Sequence, residues 1–178
     1  MMEAKDKANT RRLFLALWPN STQRLQIADC ARLLTGGRAV KAENLHLTLV
    51  FLGTTDHQRQ QCYERALQDI QVPPLILTLD TLGCWPKPRI LWLGTSRPST
   101  GLANLVQELL NRLIGCGFKP ETRPFHAHVT LARRFPGPMP DTAVARPVTW
   151  AIKRVALVES CRLAGRVHYR VLRYWPED

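Results

Sequence analysis

Two short stretches carry residues able to move protons: His46-Leu47-Thr48-Leu49 and His128-Val129-Thr130-Leu131. On an extended strand successive side chains point to opposite faces, so His46 and Thr48 share one face while Leu47 and Leu49 take the other. His128 and Thr130 stand in the same relation to Val129 and Leu131. Each strand thus offers an imidazole and a hydroxyl from an apolar anchor. Histidine changes charge near neutral pH, so two of them facing one cleft can act as general base and general acid in one turnover. Threonine hydroxyls are short neutral donors suited to nonbridging phosphate oxygens, and a nearby arginine can offset developing negative charge. Attack on a phosphodiester needs these roles, and needs no metal if an imidazolium protonates the leaving alkoxide. The same pattern also fits two half-buried strands whose His and Thr merely satisfy one another. The motifs lie 82 positions apart in a chain of 178, the spacing two similar lobes would give.

The other histidines have plainer readings. His126 lies two before His128, so a His-x-His metal pair is conceivable, but no nearby carboxylate or thiolate completes a ligand set. His57 follows a helix cap and reads as solvated, and His168 sits in a terminal strand with a surface or cross-strand role. Phe14, Ala16 and Trp18 share one face of the first strand. Phe14 could stack on a base, as aromatics do in single-stranded RNA sites, whereas Trp18 reads as core. Trp85 and Trp92 read as core or rim. Arg38 and Lys41, ahead of the first motif, could guide a phosphate backbone or form a solvated basic face.

The elements that must position these groups follow from pattern. Arg11 to Trp18 reads as a buried strand closed by Pro19. A helix capped by Asn20 or Ser21 repeats Ile27, Ala31 and Leu34 and ends at Gly36-Gly37. Leu45 to Leu52 alternates as a strand stopped by Gly53, and Asp56 caps a second helix running to about Ile70. Leu75 to Leu82 and Arg89 to Gly94 are two strands joined through a proline-containing turn. Leu102, Leu105, Val106, Leu109, Leu110 and Leu113 mark a third helix. Phe125 to Arg133 is a strand, Pro136 to Pro140 a loop, and Val148 to Ser160 with Arg166 to Trp175 a closing hairpin. Helices mixed with largely antiparallel strands define an α+β arrangement.

Composition bounds the function classes. With 25 Lys+Arg against 14 Asp+Glu the formal charge is +11, spread along the chain, and such a body attracts polyanions, of which RNA or DNA is the commonest in a cell. The five cysteines are odd in number and show no C-x-x-C pair, so no zinc or redox centre is read and a reduced cytoplasmic home is expected. The start MMEAKDKANTRR has no apolar signal region, and no apolar run is long enough to span a bilayer, so secretion and membrane insertion are not expected.

Together the HLTL and HVTL tetrapeptides resemble the paired H-x-T/S-x signatures of the 2H phosphoesterases. The following Val50-Phe51-Leu52-Gly53, the opening Arg12-Leu13-Phe14-Leu15-Ala16-Leu17, the run Arg123-Pro124-Phe125-His126-Ala127-His128 and the trailing Arg133 are similar to the RNA 2′,3′-cyclic phosphodiesterase branch, also called 2′-5′ RNA ligases. The likeness extends from about residue 11 to 175. It implies a bilobal α+β domain over residues 11–178, after a flexible segment 1–10, with two pseudo-symmetric, mostly antiparallel lobes and outer helices around a central cleft. It further implies opening of RNA 2′,3′-cyclic phosphate ends, on tRNA fragments for example, to 2′-phosphates, and reversible ATP-independent ligation. Nothing in the sequence calls for more than a monomer, for a cofactor or for a membrane. His46 would be the proton donor and His128 the proton acceptor. Thr48, Thr130 and Arg133 would hold the phosphate, although strict alternation puts Arg133 on the wrong face and requires a bend. Two readings stay beside this one: a phosphodiesterase for a small cyclic nucleotide, and an RNA-binding module without catalysis.

Overall fold

The computed structural model describes residues 10–35, 39–87, 89–137 and 143–177. In chain order the elements are β1 (Arg11–Leu17), α1 (Ser21–Thr35), a 3-10 turn (Ala42–Asn44), β2 (Leu47–Thr55), α2 (His57–Leu67), β3 (Leu75–Trp85) and β4 (Ile90–Gly94). There follow α3 (Thr100–Ile114), β5 (His128–Ala132), β6 (Ala143–Ile152), β7 (Val155–Leu163) and β8 (Arg166–Trp175). The strands form one sheet in the order β6-β3-β4-β5-β2-β1-β7-β8, and every pairing is antiparallel. Outward from the central β5–β2 contact, β4 matches β1, β3 matches β7 and β6 matches β8, so the halves are related by a pseudo-twofold axis. This is the expected α+β architecture, with the two lobes fused into a continuous sheet.

One face of the sheet is apolar and covered by helices. Leu13, Leu15, Leu17, Leu47, Val129 and Leu131 all point into this core. The helix α3 buries Leu102, Leu105, Val106, Leu109 and Leu113 there, each contributing ~1.5–3 kcal/mol by removal from water. Caps fix where the helices begin. Asn20 and Gln23 exchange side-chain and backbone hydrogen bonds at α1, the Asp56 side chain accepts from the Arg59 amide at α2, and Ser99 accepts from the Leu102 amide at α3. The other face of the sheet carries no helix and holds a second, buried cluster in which Phe14, Ala16, Ala156 and Val158 pack beneath Trp18, Tyr169, Val171 and Tyr174.

Four expectations are corrected. Gly53 does not stop its strand: it sits at φ 74° opposite Leu13, where the β1–β2 register shifts, and β2 continues to Thr55. The stretch from Val148 to Ser160 is not one strand. It breaks at Lys153-Arg154 into β6, which runs to one edge of the sheet beside β3, and β7, which pairs with β1 and β8. The second helix ends at Leu67, and the Ile70 amide donates to the Leu67 carbonyl in the turn beyond. The cysteines are not all free: Cys62 of α2 is bonded to Cys116 just past α3, with Cα atoms 5.8 Å apart. Sequence spacing does not reveal this pair, because it is the packing of α2 on α3 that brings it together. The expected helix stop at Gly36-Gly37 and the end of the loop at Pro138 to Pro140 lie outside the described residues.

Candidate active site

The two motifs meet at the middle of the sheet. Leu47 of β2 pairs with Val129 of β5, and in an antiparallel register this sets His46 beside Thr130 and Thr48 beside His128. Both imidazoles are held alike. The His46 Nδ1–H donates to the Asn44 carbonyl at 2.7 Å, and the His128 Nδ1–H donates to the His126 carbonyl at 2.7 Å. Because a carbonyl only accepts, Nδ1 carries the proton in each ring and Nε2 is left to take or give one. At His46 that Nε2 lies 3.1 Å from Thr48 Oγ1.

The walls around the two rings differ. His46 stacks on Trp18 with ring centroids 5.6 Å apart, and Phe14 and Tyr169 each stand 4.9 Å away. His128 meets the edge of Trp85 at 4.5 Å, while His126 packs on Trp92 at 4.6 Å. Trp92 lies over Gly83 and Gly94, where an added Cβ would stand 2.1 Å and 2.9 Å from its indole. The absence of a side chain at these two positions is what lets the indole lie flat against the backbone.

Burial in this aromatic setting pushes the His46 pKa down to about 4, with the charges of Arg133 and His128 acting in the same direction against the Asn44 carbonyl. His128 is also lowered, chiefly by burial, with His126 and Arg133 adding to it. In the free protein near neutral pH both imidazoles are therefore neutral. A bound phosphodiester anion would favour the charged form and so offset part of the cost of burying it.

Arg133 reaches this site through a β-bulge. The β4–β5 register passes from Trp92↔Thr130 to Leu91↔Ala132, so Leu131 and Ala132 both face the core and the next residue, Arg133, returns to the helix-free face. Arg89 fixes the bend that follows: its carbonyl accepts from the Phe135 amide at 3.0 Å and its Nε donates to the Phe135 carbonyl at 2.6 Å. The first lobe repeats the device. Its register passes from Ala16↔Thr48 to Leu15↔Val50, Leu49 and Val50 are both buried, and Phe51 emerges 58% exposed. Phe51 is thus the first lobe's counterpart of Arg133.

Phe14 is only 4% exposed, packed among His46, Phe51 and Tyr169, so a base could stack on it only if those rings part. The 126 and 128 imidazoles are 5.9 Å apart, and no third His, Cys, Asp or Glu joins them among the described residues. His57 opens α2, and His168 lies on β8 away from the cleft. Lys41 is paired with Glu43 at 3.4 Å, and Arg38 lies outside the described residues. Sequence reasoning did not single out Asn44, Tyr169 or Phe51. Asn44 carries a signal in hindsight, as a buried amide two residues before a histidine, and its Nδ2 donates to the Val167 carbonyl of β8 at 3.1 Å. Tyr169 and Phe51 depend on strand pairing and on a bulge, neither of which a single sequence displays.

The pseudo-symmetric sheet brings one His-x-Thr pair from each half to its centre. The family model of the 2′-5′ RNA ligase superfamily matches residues 16–162, and the chain belongs to that superfamily. The RNA 2′,3′-cyclic phosphodiesterase of Escherichia coli is 34% identical over 139 residues, which are 78% of this chain and 79% of that protein. The RNA 2′,3′-cyclic phosphodiesterase of Archaeoglobus fulgidus is 33% identical over 68% of this chain and 72% of its own. The crystal structure of E. coli LigT complexed with 3′-AMP superposes with a TM-score of 0.84 at 32% identity, covering 94% of this chain and 98% of that one. No helix among the described residues is long and apolar enough to cross a membrane.

Proposed function

We propose that this protein is an RNA 2′,3′-cyclic phosphodiesterase, a hydrolase that opens cyclic phosphate ends to 2′-phosphates. One observation carries the reading: two imidazoles with matched Nδ1–H···O=C bonds, which leave each Nε2 without that proton, stand beside each other's threonine at the centre of the sheet. The names of its relatives support the substrate class.

In this reading the anion binds between Thr48, Thr130 and Arg133. The bound negative charge favours the imidazolium and offsets the cost of its burial, so His46 gains a proton on Nε2. His128, still neutral, removes a proton from water, whose oxygen attacks phosphorus. The bond from phosphorus to the 3′ oxygen breaks, and His46 Nε2–H protonates that oxygen. His46 ends neutral, His128 ends protonated, and the product carries a 2′-phosphate. Substituting a 5′-hydroxyl for water gives a 2′-5′ linkage by the same proton transfers, without ATP. Phe14 backs His46, and a terminal base stacks on the aromatic wall it belongs to. No metal enters the scheme.

The enzyme acts as a monomer, a single bilobal domain over residues 11–178, on RNA ends such as those of tRNA fragments, and its place is the cytoplasm. A reducing compartment would bear on the Cys62–Cys116 bond, which lies between helices on the far side of the sheet from the cleft. The test is product identity. A short RNA with a 2′,3′-cyclic phosphate, incubated with the protein and EDTA, should yield only a 2′-phosphate. Formation of a 3′-phosphate, or turnover that disappears with EDTA, would overturn the scheme.

A further inference from the structure

We propose that the RNA strand leaves the catalytic groups along the exposed rim of the helix-free face of β2, β1 and β7, stacking on Phe51 and passing its phosphates to Arg12 and Arg162. This rests on the cyclic phosphodiesterase reading and adds the path taken by nucleotides beyond the terminal one.

Strand alternation sets the surface. On β1, Leu13, Leu15 and Leu17 point to the helix-covered core while Phe14 and Ala16 point to the helix-free side, so Arg12 does also. On β7, Ala156 and Val158 face the helix-free side, and Ser160 and Arg162 continue that row. The register makes the surface contiguous: Phe51 stands opposite Phe14 and Phe14 opposite Val158, and in the next row Thr54, Arg12, Ser160 and Tyr169 lie side by side. Rows on one face are ~7 Å apart, so Arg12 stands one step beyond the Phe51 row. Arg162 pairs with Val167, whose carbonyl accepts from Asn44, so the twist of the sheet brings this end of the β7–β8 hairpin back toward the site.

Charge and exposure point to a polynucleotide. Within β1, β2, β7 and β8 the carboxylate is Glu159, which lies on the other face and is engaged by Arg11 and Arg170. Arg12 and Arg162 are exposed and make no ion pair among the described residues. Phe51 presents a largely exposed ring at the mouth of the site, 6.4 Å from Phe14. An aromatic platform followed by unpaired guanidiniums is the arrangement that holds single-stranded RNA, by stacking and by phosphate contact. The outer strands of the other half offer less charge: the Asp80 carboxylate on β3 is occupied by Ser96, and Ile76 and Thr78 are exposed beside it.

The experiment compares a 2′,3′-cyclic mononucleotide with octanucleotides ending in the same group, in the wild type, the Arg12→Gln/Arg162→Gln double variant and Phe51→Leu. The ratio of kcat/KM for octamer over mononucleotide should fall at least tenfold in the double variant and severalfold in Phe51→Leu. Arg12→Lys/Arg162→Lys should retain most of the ratio, and Arg166→Gln, on the other face, should leave it unchanged. Anisotropy titration of a 3′-hydroxyl octamer supplies a readout free of turnover. Its salt slope should shrink by about 1.4 when two phosphate contacts are lost. A length ratio and a salt slope unchanged in the double variant would overturn the path. Failure of the wild type to open any cyclic end would overturn the enzymatic reading instead, and the anisotropy series would still decide the surface.

Discussion

At the scale of single residues, the proposed scheme rests on a pair of imidazoles kept neutral by burial until an anion arrives. His46 titrates at about 4 in the folded protein, against about 6.5 in an unfolded chain. The unfolded chain therefore takes up a proton first as pH falls. The stability contributed by neutral His46 is complete above pH ~6.5 and is lost progressively down to about 4, up to roughly 3 kcal/mol. His46→Asn should show a shallower loss of urea resistance between pH 7 and 4 than the wild type. Equal slopes would mean that His46 is not held neutral by burial. The His-x-Thr pairs themselves were legible, because alternation alone puts a histidine and its threonine on one face. Asn44 was not: its backbone carbonyl accepts from His46 while its side-chain amide donates to the Val167 carbonyl of β8, a long-range contact that no local pattern encodes.

At the scale of elements, much of the fold could be read from periodicity and caps, as α3 with its leucine stripe and Ser99 cap shows. The bulges could not. A bulge costs one unpaired residue and turns every later side chain to the other face, so strict alternation misplaced Arg133. The same device in β2 brings out Phe51, and its recurrence in both halves ties local backbone to site design. The break at Lys153-Arg154 was hidden because both sides of it read as strand. Glycine matters at the tryptophan wall. Gly83→Ala would drive a methyl into the Trp92 ring at 2.1 Å, costing ~1–3 kcal/mol and tilting the ring that His126 packs on. Its expected signature is a shifted tryptophan emission together with a lower kcat. Unchanged emission and rate would show that the indole does not lie against the strand.

At the scale of the whole molecule, pseudo-twofold symmetry builds one site from two halves, while the helices behind the sheet hold those halves together. The Cys62–Cys116 bond joins α2 to the end of α3 across 54 residues, and closing a loop of that length stabilises by about 3–4 kcal/mol. The double variant Cys62→Ser/Cys116→Ser should unfold at lower urea and should no longer respond to reductant. An unchanged midpoint would show that α2–α3 packing suffices alone. The excess of positive charge was evident from composition, but that Arg12 and Arg162 come to the same face of the sheet follows only once strand order and register are known.

The central claim is that His46 and His128 divide acid and base between them. The most direct test is the single-turnover rate of opening of an RNA 2′,3′-cyclic phosphate end by the wild type, His46→Ala, His128→Ala and the double variant. Each single variant should lose at least about 100-fold, and the double little more than the worse single, because the two groups serve one step. A folded single variant that keeps its rate would contradict the claim.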